Sequence, residues 1–127
     1  MSDGTKVLYV EDNLENRILI RRVLQAEGFE ILEAENASQA LQAVQNQIPD
    51  LILMDINMPE LDGYTLTSHL KSIPALRHVP IVALTANVMK GDRERTFQAG
   101  CDDYIQKPID VDSLPQQILR FLRGGEQ

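Results

Sequence analysis

The chain carries a single cysteine, Cys101, so neither an internal disulfide nor a multi-cysteine metal site can be built from it. A small buried thiol in a reducing compartment is the plain reading. Histidine is nearly as scarce: His69 falls on an expected helix and His78 in a loop, which makes them surface residues and not a metal pair. Basic residues are outnumbered, twelve Lys and Arg against nineteen Asp and Glu, for a formal charge of −7. That balance speaks against nucleic-acid binding and favours cations or basic partner surfaces. No apolar run approaches the roughly 18 residues that a membrane span requires. The opening Met1-Ser2-Asp3-Gly4-Thr5-Lys6 lacks the charged-then-apolar plan of a signal peptide. These absences together predict a soluble, cytoplasmic protein that engages neither membrane nor nucleic acid.

What is present is a 127-residue chain, 43% hydrophobic, without repeats or low-complexity stretches. One domain with one proper core is expected over residues 1–127, its body at about 5–123, with no output domain. Short apolar runs alternate with helical patterns. Strands are expected at Lys6 to Val10, Glu30 to Ala34, Leu51 to Met54, Pro80 to Thr85 and Asp103 to Gln106. Helices are expected at about Leu14 to Glu27, stopped by Gly28, at Ala37 to Gln45, capped by Asn36, from Asp62-Gly63 through Leu70, at Lys90 to Ala99, and at Val111 to Leu122. In the first helix Leu19, Ile20, Val23 and Leu24 can serve the core, leaving Leu14 and Ile18 on a separate apolar stripe suited either to docking a partner helix or to simple packing at the helix edge.

Parallel crossovers each need a helix, and right-handed connections cover both faces of the sheet. The alternation therefore predicts an α/β, doubly wound, five-stranded parallel sheet with five helices and the flavodoxin-like order 2-1-3-4-5. In that order the strand ends converge. Glu11-Asp12 follows the first strand, Asp55 closes the run Leu51-Ile52-Leu53-Met54, Thr85 ends the fourth strand and Lys107-Pro108 follows the fifth. Open α/β sheets build their sites at that edge.

Three carboxylates in one crevice repel one another unless a cation or a shared proton compensates. Hard oxygen ligands without nearby His or Cys point to Mg²⁺. Asp12 and Asp55 are the expected direct ligands, Glu11 stands close behind, and the backbone carbonyl of Asn57 offers a further oxygen. Lys107 brings a mobile positive charge and Thr85 a hydroxyl, both suited to a phosphoryl group. Asp55 itself is a candidate nucleophile toward phosphorus.

With these residues in place, the chain resembles a receiver domain of bacterial two-component signalling. The resemblance rests on Val10-Glu11-Asp12-Asn13, on Leu53-Met54-Asp55-Ile56-Asn57-Met58-Pro59 with Asp62-Gly63, on Leu84-Thr85-Ala86, and on Tyr104-Ile105-Gln106-Lys107-Pro108-Ile109. It implies a stand-alone response regulator of a phosphorelay, a phosphoprotein rather than an enzyme, which can catalyse its own phosphorylation and dephosphorylation. Asp55 would take a phosphoryl group, as an aspartyl-phosphate, from a sensor histidine kinase or a histidine phosphotransfer protein. The resemblance further implies a switch made of Thr85 and Tyr104, a cis Lys107-Pro108 bond, and an output face of helix four, strand five and helix five that binds a downstream target protein. Asn57 and Asn87 would influence hydrolysis. The segment Met89 to Arg95 resembles single-domain regulators of the polar-differentiation type.

A receiver cut from a hybrid kinase would carry the same motifs, and two other classes share the sheet or the chemistry. A flavodoxin-like electron carrier needs a Ser, Thr and Gly-rich phosphate loop after the first strand, where this chain has Glu11-Asp12-Asn13. A phosphatase of the haloacid dehalogenase type needs a second acid two residues beyond its nucleophile, where this chain has Asn57.

Overall fold

A computed structural model describes residues 4–57, 62–86 and 90–123. Met58, Pro59, Asn87 and Met89, which the sequence reading used, lie outside the described residues.

Five parallel strands form one sheet: β1 (Lys6–Val10), β2 (Glu30–Ala34), β3 (Leu51–Asp55), β4 (Ile81–Thr85) and β5 (Asp103–Gln106). Their order is β2-β1-β3-β4-β5, as expected. The helices are α1 (Leu14–Ala26), α2 (Ala37–Asn46), α3 (Gly63–Lys71), α4 (Lys90–Gln98) and α5 (Leu114–Leu122), with a short 3₁₀ turn at Pro74–Leu76. The register keeps the strand ends in step. Val10 pairs with Ala34 and Met54, Asp55 with Leu84, and Thr85 with Gln106.

Side chains alternate between faces along each strand, so one set of strands builds two hydrophobic layers. Leu8, Val10, Ile52, Met54 and Ala83 pack with Ala40, Val44, Leu66 and Leu70 from α2 and α3. Val7, Tyr9, Leu51, Leu53, Val82 and Leu84 pack with Ile20, Leu24, Leu114 and Ile118 from α1 and α5. Every residue of β3 is buried, which is why its run has no polar face before Asp55.

Helix starts follow local chemistry. Asn13 Oδ1 accepts from Asn16 N at 2.9 Å to cap α1, and Asn36 Oδ1 accepts from Gln39 N at 2.8 Å to cap α2. Asp62 caps α3 through Tyr64 N and Thr65 N, and Thr65 Oγ1 donates to its other oxygen at 2.8 Å. Gly28, at φ 91°, closes α1 in the left-handed conformation.

The structure departs from the sequence reading in two places. Helix α5 begins at Leu114 and not at Val111, because Asp110 diverts the preceding residues into a turn: Asp112 N donates to its carboxylate at 3.1 Å and Ser113 N to its carbonyl at 3.2 Å. Pro115 then sits in the first helical turn, where its missing N–H costs nothing. The second departure is Leu19, which is half exposed rather than in the core; α1 buries Ile20 and Leu24 instead. A helix turns about 100° per residue, so Leu19 beside Ile20 already lies off the face turned to the sheet.

Candidate functional site

The C-terminal ends of β1, β3, β4 and β5 bring Glu11, Asp55, Thr85 and Lys107 to one edge of the sheet. Asp55 is the last residue of β3 and is only 3% exposed. Two hydrogen-bond donors meet its Oδ1: Lys107 Nζ at 2.8 Å, from 52 residues away in sequence, and Asn57 N at 2.9 Å. The Asn57 side chain faces the other way and accepts from Ala86 N at 2.9 Å, which ties the segment after β3 to the one after β4.

Carboxylate oxygens of Glu11, Asp12 and Asp55 all lie within 4.8 Å of one another. Glu11 is buried and Asp12 exposed. Burial pushes the Glu11 carboxyl up to about 7, and the Asp55 carboxylate beside it acts in the same direction. The Asn13 amide, which donates to Glu11 Oε2 at 3.1 Å, and the Tyr9 hydroxyl, which donates to Oε1 at 3.1 Å, pull the other way. One lysine against three acids leaves the crevice short of positive charge. The all-oxygen donor set and that deficit both fit a hard divalent cation such as Mg²⁺.

Thr85 is buried at the end of β4, with its carbonyl accepting from Lys107 N at 2.8 Å. The Lys107-Pro108 peptide bond is cis. Tyr104 lies on β5 with its ring edge-on to Phe97 of α4, centroids 6.1 Å apart, and Arg93 Nη1 donates to its hydroxyl at 3.4 Å. Gly63 allows α3 to start close against the C-terminal end of β3: a Cβ there would stand 3.0 Å from the Asp55 carbonyl oxygen and from Ile56 Cδ1.

Two site residues escaped the sequence reading. Arg17, on α1, donates from Nη1 to the Glu11 carbonyl at 2.7 Å and pairs with Glu33 at 3.3 Å and Glu35 at 3.7 Å. Tyr9 belongs by residue type to the apolar run of β1, and its position two residues before Glu11 places both on one side of an extended chain.

The model of the response regulator receiver domain matches residues 7–119. The chain belongs to this family. Its receiver domain is 45% identical over 116 residues to the polar-differentiation response regulator DivK of Brucella anthropi, covering 91% of this chain and 94% of that protein. The counterpart in Brucella ovis is 44% identical over the same span. Among solved structures the receiver domain resembles the chemotaxis protein CheY4 of Vibrio cholerae, with a TM-score of 0.87, 26% identity, and coverage of 92% of this chain and 98% of that one. It also resembles the receiver domain of the sensor histidine kinase PA1611 from Pseudomonas aeruginosa PAO1, with a TM-score of 0.83, 40% identity and coverage of 95% and 98%. That structure holds a magnesium ion coordinated in its active site cleft. Receiver domains are signalling proteins rather than classical enzymes, and they work between histidine kinases and downstream targets. Among the described residues, no helix of this one is long and apolar enough to cross a membrane.

Proposed function

We propose that this receiver domain is a cytoplasmic phosphoacceptor of a two-component phosphorelay, with Asp55 as the residue phosphorylated. The observation that carries the reading is the approach of Lys107 Nζ to within 2.8 Å of Asp55 Oδ1, beside the clustered oxygens of Glu11 and Asp12.

In this reading Oδ2, the oxygen not engaged by Lys107 and the Asn57 amide, attacks the phosphorus of a phosphohistidine on a sensor kinase or phosphotransfer protein. The O–P bond forms as the P–N bond breaks, and the departing imidazole takes a proton from water. Lys107 shifts from the carboxylate to the phosphoryl oxygens, and the Thr85 hydroxyl donates to one of them. Asp12 and Asp55, with Glu11 close by and the Asn57 carbonyl, would hold Mg²⁺, which supplies positive charge beside the phosphoryl oxygens. The same groups serve self-catalysed phosphorylation from small donors and dephosphorylation by water.

Movement of Thr85 toward the phosphoryl group releases space behind it, and Tyr104 turns from Arg93 and Phe97 into that space. The face of α4, β5 and α5 thereby changes for a downstream target protein. The phosphoryl donor docks at α1, where Leu14 and Leu19 are exposed and Ile18 is half-buried. A groove of about 260 Å³ there runs from Leu19 and Asn16 past Ile109 to Lys107 and Glu11.

Intact-mass measurement after incubation with a small phosphodonor, with and without Mg²⁺, tests the reading. A Mg²⁺-dependent, base-labile phosphoryl adduct on the wild type that is missing in Asp55→Asn is expected. An adduct that persists in Asp55→Asn, or that ignores Mg²⁺, overturns the assignment.

A further inference from the structure

Tyr9 is the large polar side chain of an otherwise apolar layer. Its ring packs in the β1 face that meets α1 and α5, among Ile20, Leu24, Leu53, Leu84 and Ile118, and the residue is 1% exposed. A phenol so placed needs an acceptor for its O–H, and it finds Glu11 Oε1 at 3.1 Å. The rest of Glu11 is equally committed: Oε2 accepts from Asn13 N, the backbone N–H donates to Ala34 O at 2.9 Å, and the carbonyl accepts from Arg17. Of these partners, Tyr9 is the one that reaches the Glu11 carboxylate through its side chain, the Asn13 contact being made by the backbone amide.

We propose that Tyr9 is a positioning residue of the cation site: its hydroxyl holds the Glu11 carboxylate toward Asp12 and Asp55, so that the acids are arranged before a cation arrives. This deepens the proposed function, because it rests on Glu11 contributing to Mg²⁺ binding. The physical argument is one of preorganisation. A glutamate side chain has three rotatable torsions to order, and beside two other acids its carboxylate is repelled from the orientation a cation needs. A donor locked by core packing opposes that repulsion at no cost in ordering, since the Tyr9 ring is already immobile in the layer.

A purely structural role makes a different forecast. If Tyr9 only fills volume, phenylalanine replaces it without consequence for the cation. If the hydroxyl positions Glu11, Tyr9→Phe preserves the packing and loosens the carboxylate.

Calorimetric titration of Mg²⁺ into wild type and Tyr9→Phe distinguishes the two. About tenfold weaker binding is expected for Tyr9→Phe, the scale seen when a group that orients a metal ligand is removed. Phosphorylation by a small phosphodonor should then return to the wild-type rate at saturating Mg²⁺, and adding Tyr9→Phe to Glu11→Gln should weaken binding no further. Affinity within about twofold of wild type, or a rate loss that persists at saturating Mg²⁺, overturns the inference while leaving the proposed function standing. A wild-type protein that binds no Mg²⁺ overturns both. Should Tyr9→Phe fail to fold, the Tyr64→Phe/Tyr104→Phe protein leaves Tyr9 as its sole tyrosine. Its near-ultraviolet difference spectrum should change with Mg²⁺ and saturate with the binding isotherm; a flat spectrum overturns the inference.

Discussion

The guanidinium of Arg17 donates to the carbonyl oxygen of Glu11 at 2.7 Å, and so grips the peptide that joins Glu11 to Asp12. Its other nitrogens pair with Glu33 and Glu35, at and just beyond the end of β2. The Arg17 side chain is only 11% exposed, so its link to Glu11 and Glu33 is largely desolvated, while the Glu35 arm opens to solvent. Arg17→Met should destabilise the fold by about 1–3 kcal/mol, read by urea denaturation, because it strands a carbonyl and loosens the acidic segment. Arg17→Lys should recover little of this, since an ammonium cannot span the carbonyl and two carboxylates in one plane. A lysine variant as stable as wild type would remove the argument from geometry.

The raised Glu11 carboxyl makes a signed forecast for pH. The folded protein holds this proton more tightly than the unfolded chain, where the group has its ordinary value of 4.5. Without metal, the protonated carboxyl therefore stabilises the fold fully below that value, and the contribution is lost as pH rises toward 7. In chelator, the Tm of wild type should fall relative to Glu11→Gln between about pH 5 and about pH 8. Mg²⁺ requires the ionised acid, so its stabilising shift in Tm should be larger at the higher pH. Equal shifts at both ends would mean that Glu11 does not titrate in this window.

Gly63 stands where a Cβ fits only if its neighbours give way by a few tenths of an ångström. With the Asp55 carbonyl and Ile56 Cδ1 both 3.0 Å from its implied Cβ, Gly63→Ala forces the end of β3 and the start of α3 apart. A loss of about 1–3 kcal/mol and slower phosphorylation by small donors are expected, because the displaced backbone carries Asp55. Wild-type kinetics in Gly63→Ala would show that the end of β3 can shift without moving its carboxylate.

Cys101 should be inert. It is buried, its S–H donates to Thr67 Oγ1 at 3.9 Å, and burial pushes the thiol up to about 11. A thiol-specific chromogenic reagent at mildly alkaline pH should react at the rate of unfolding and be accelerated by denaturant. Immediate reaction of the native protein would place the thiol in an accessible state.

The strands were legible because each apolar run is short, bounded by polar residues, and carries its chemistry at one end; Leu51 to Met54 followed by Asp55 is the clearest instance. The strand order followed from the need to cross over with helices. Where the reading went astray, the deciding information was not local in the pattern. Leu19 is as apolar as its neighbour Ile20, and only the rotation of α1 against the sheet separates an exposed residue from a buried one. The late start of α5 depends on Asp110 accepting from Asp112 and Ser113, a competition between turn and helix that periodicity does not register. Arg17 was hidden because its residue type reads as a solvated helix face, and its role depends on Glu33 being brought beside it by the pairing of β1 with β2. Tyr9 carried a signal in its spacing from Glu11.

β3 lies between two strands and under two hydrophobic layers, and Asp55 is its last residue. Amides this deeply enclosed exchange with solvent deuterium only when the whole molecule opens. If Asp55 is phosphorylated as proposed, the added charge would rest on a strand buried along its whole length, which has little room to yield. The sheet would then act as a stationary frame, and the work of the added charge would fall on what is attached to its rim: the Asn57 to Ala86 tie, the Thr85 terminus and the Tyr104 ring against α4.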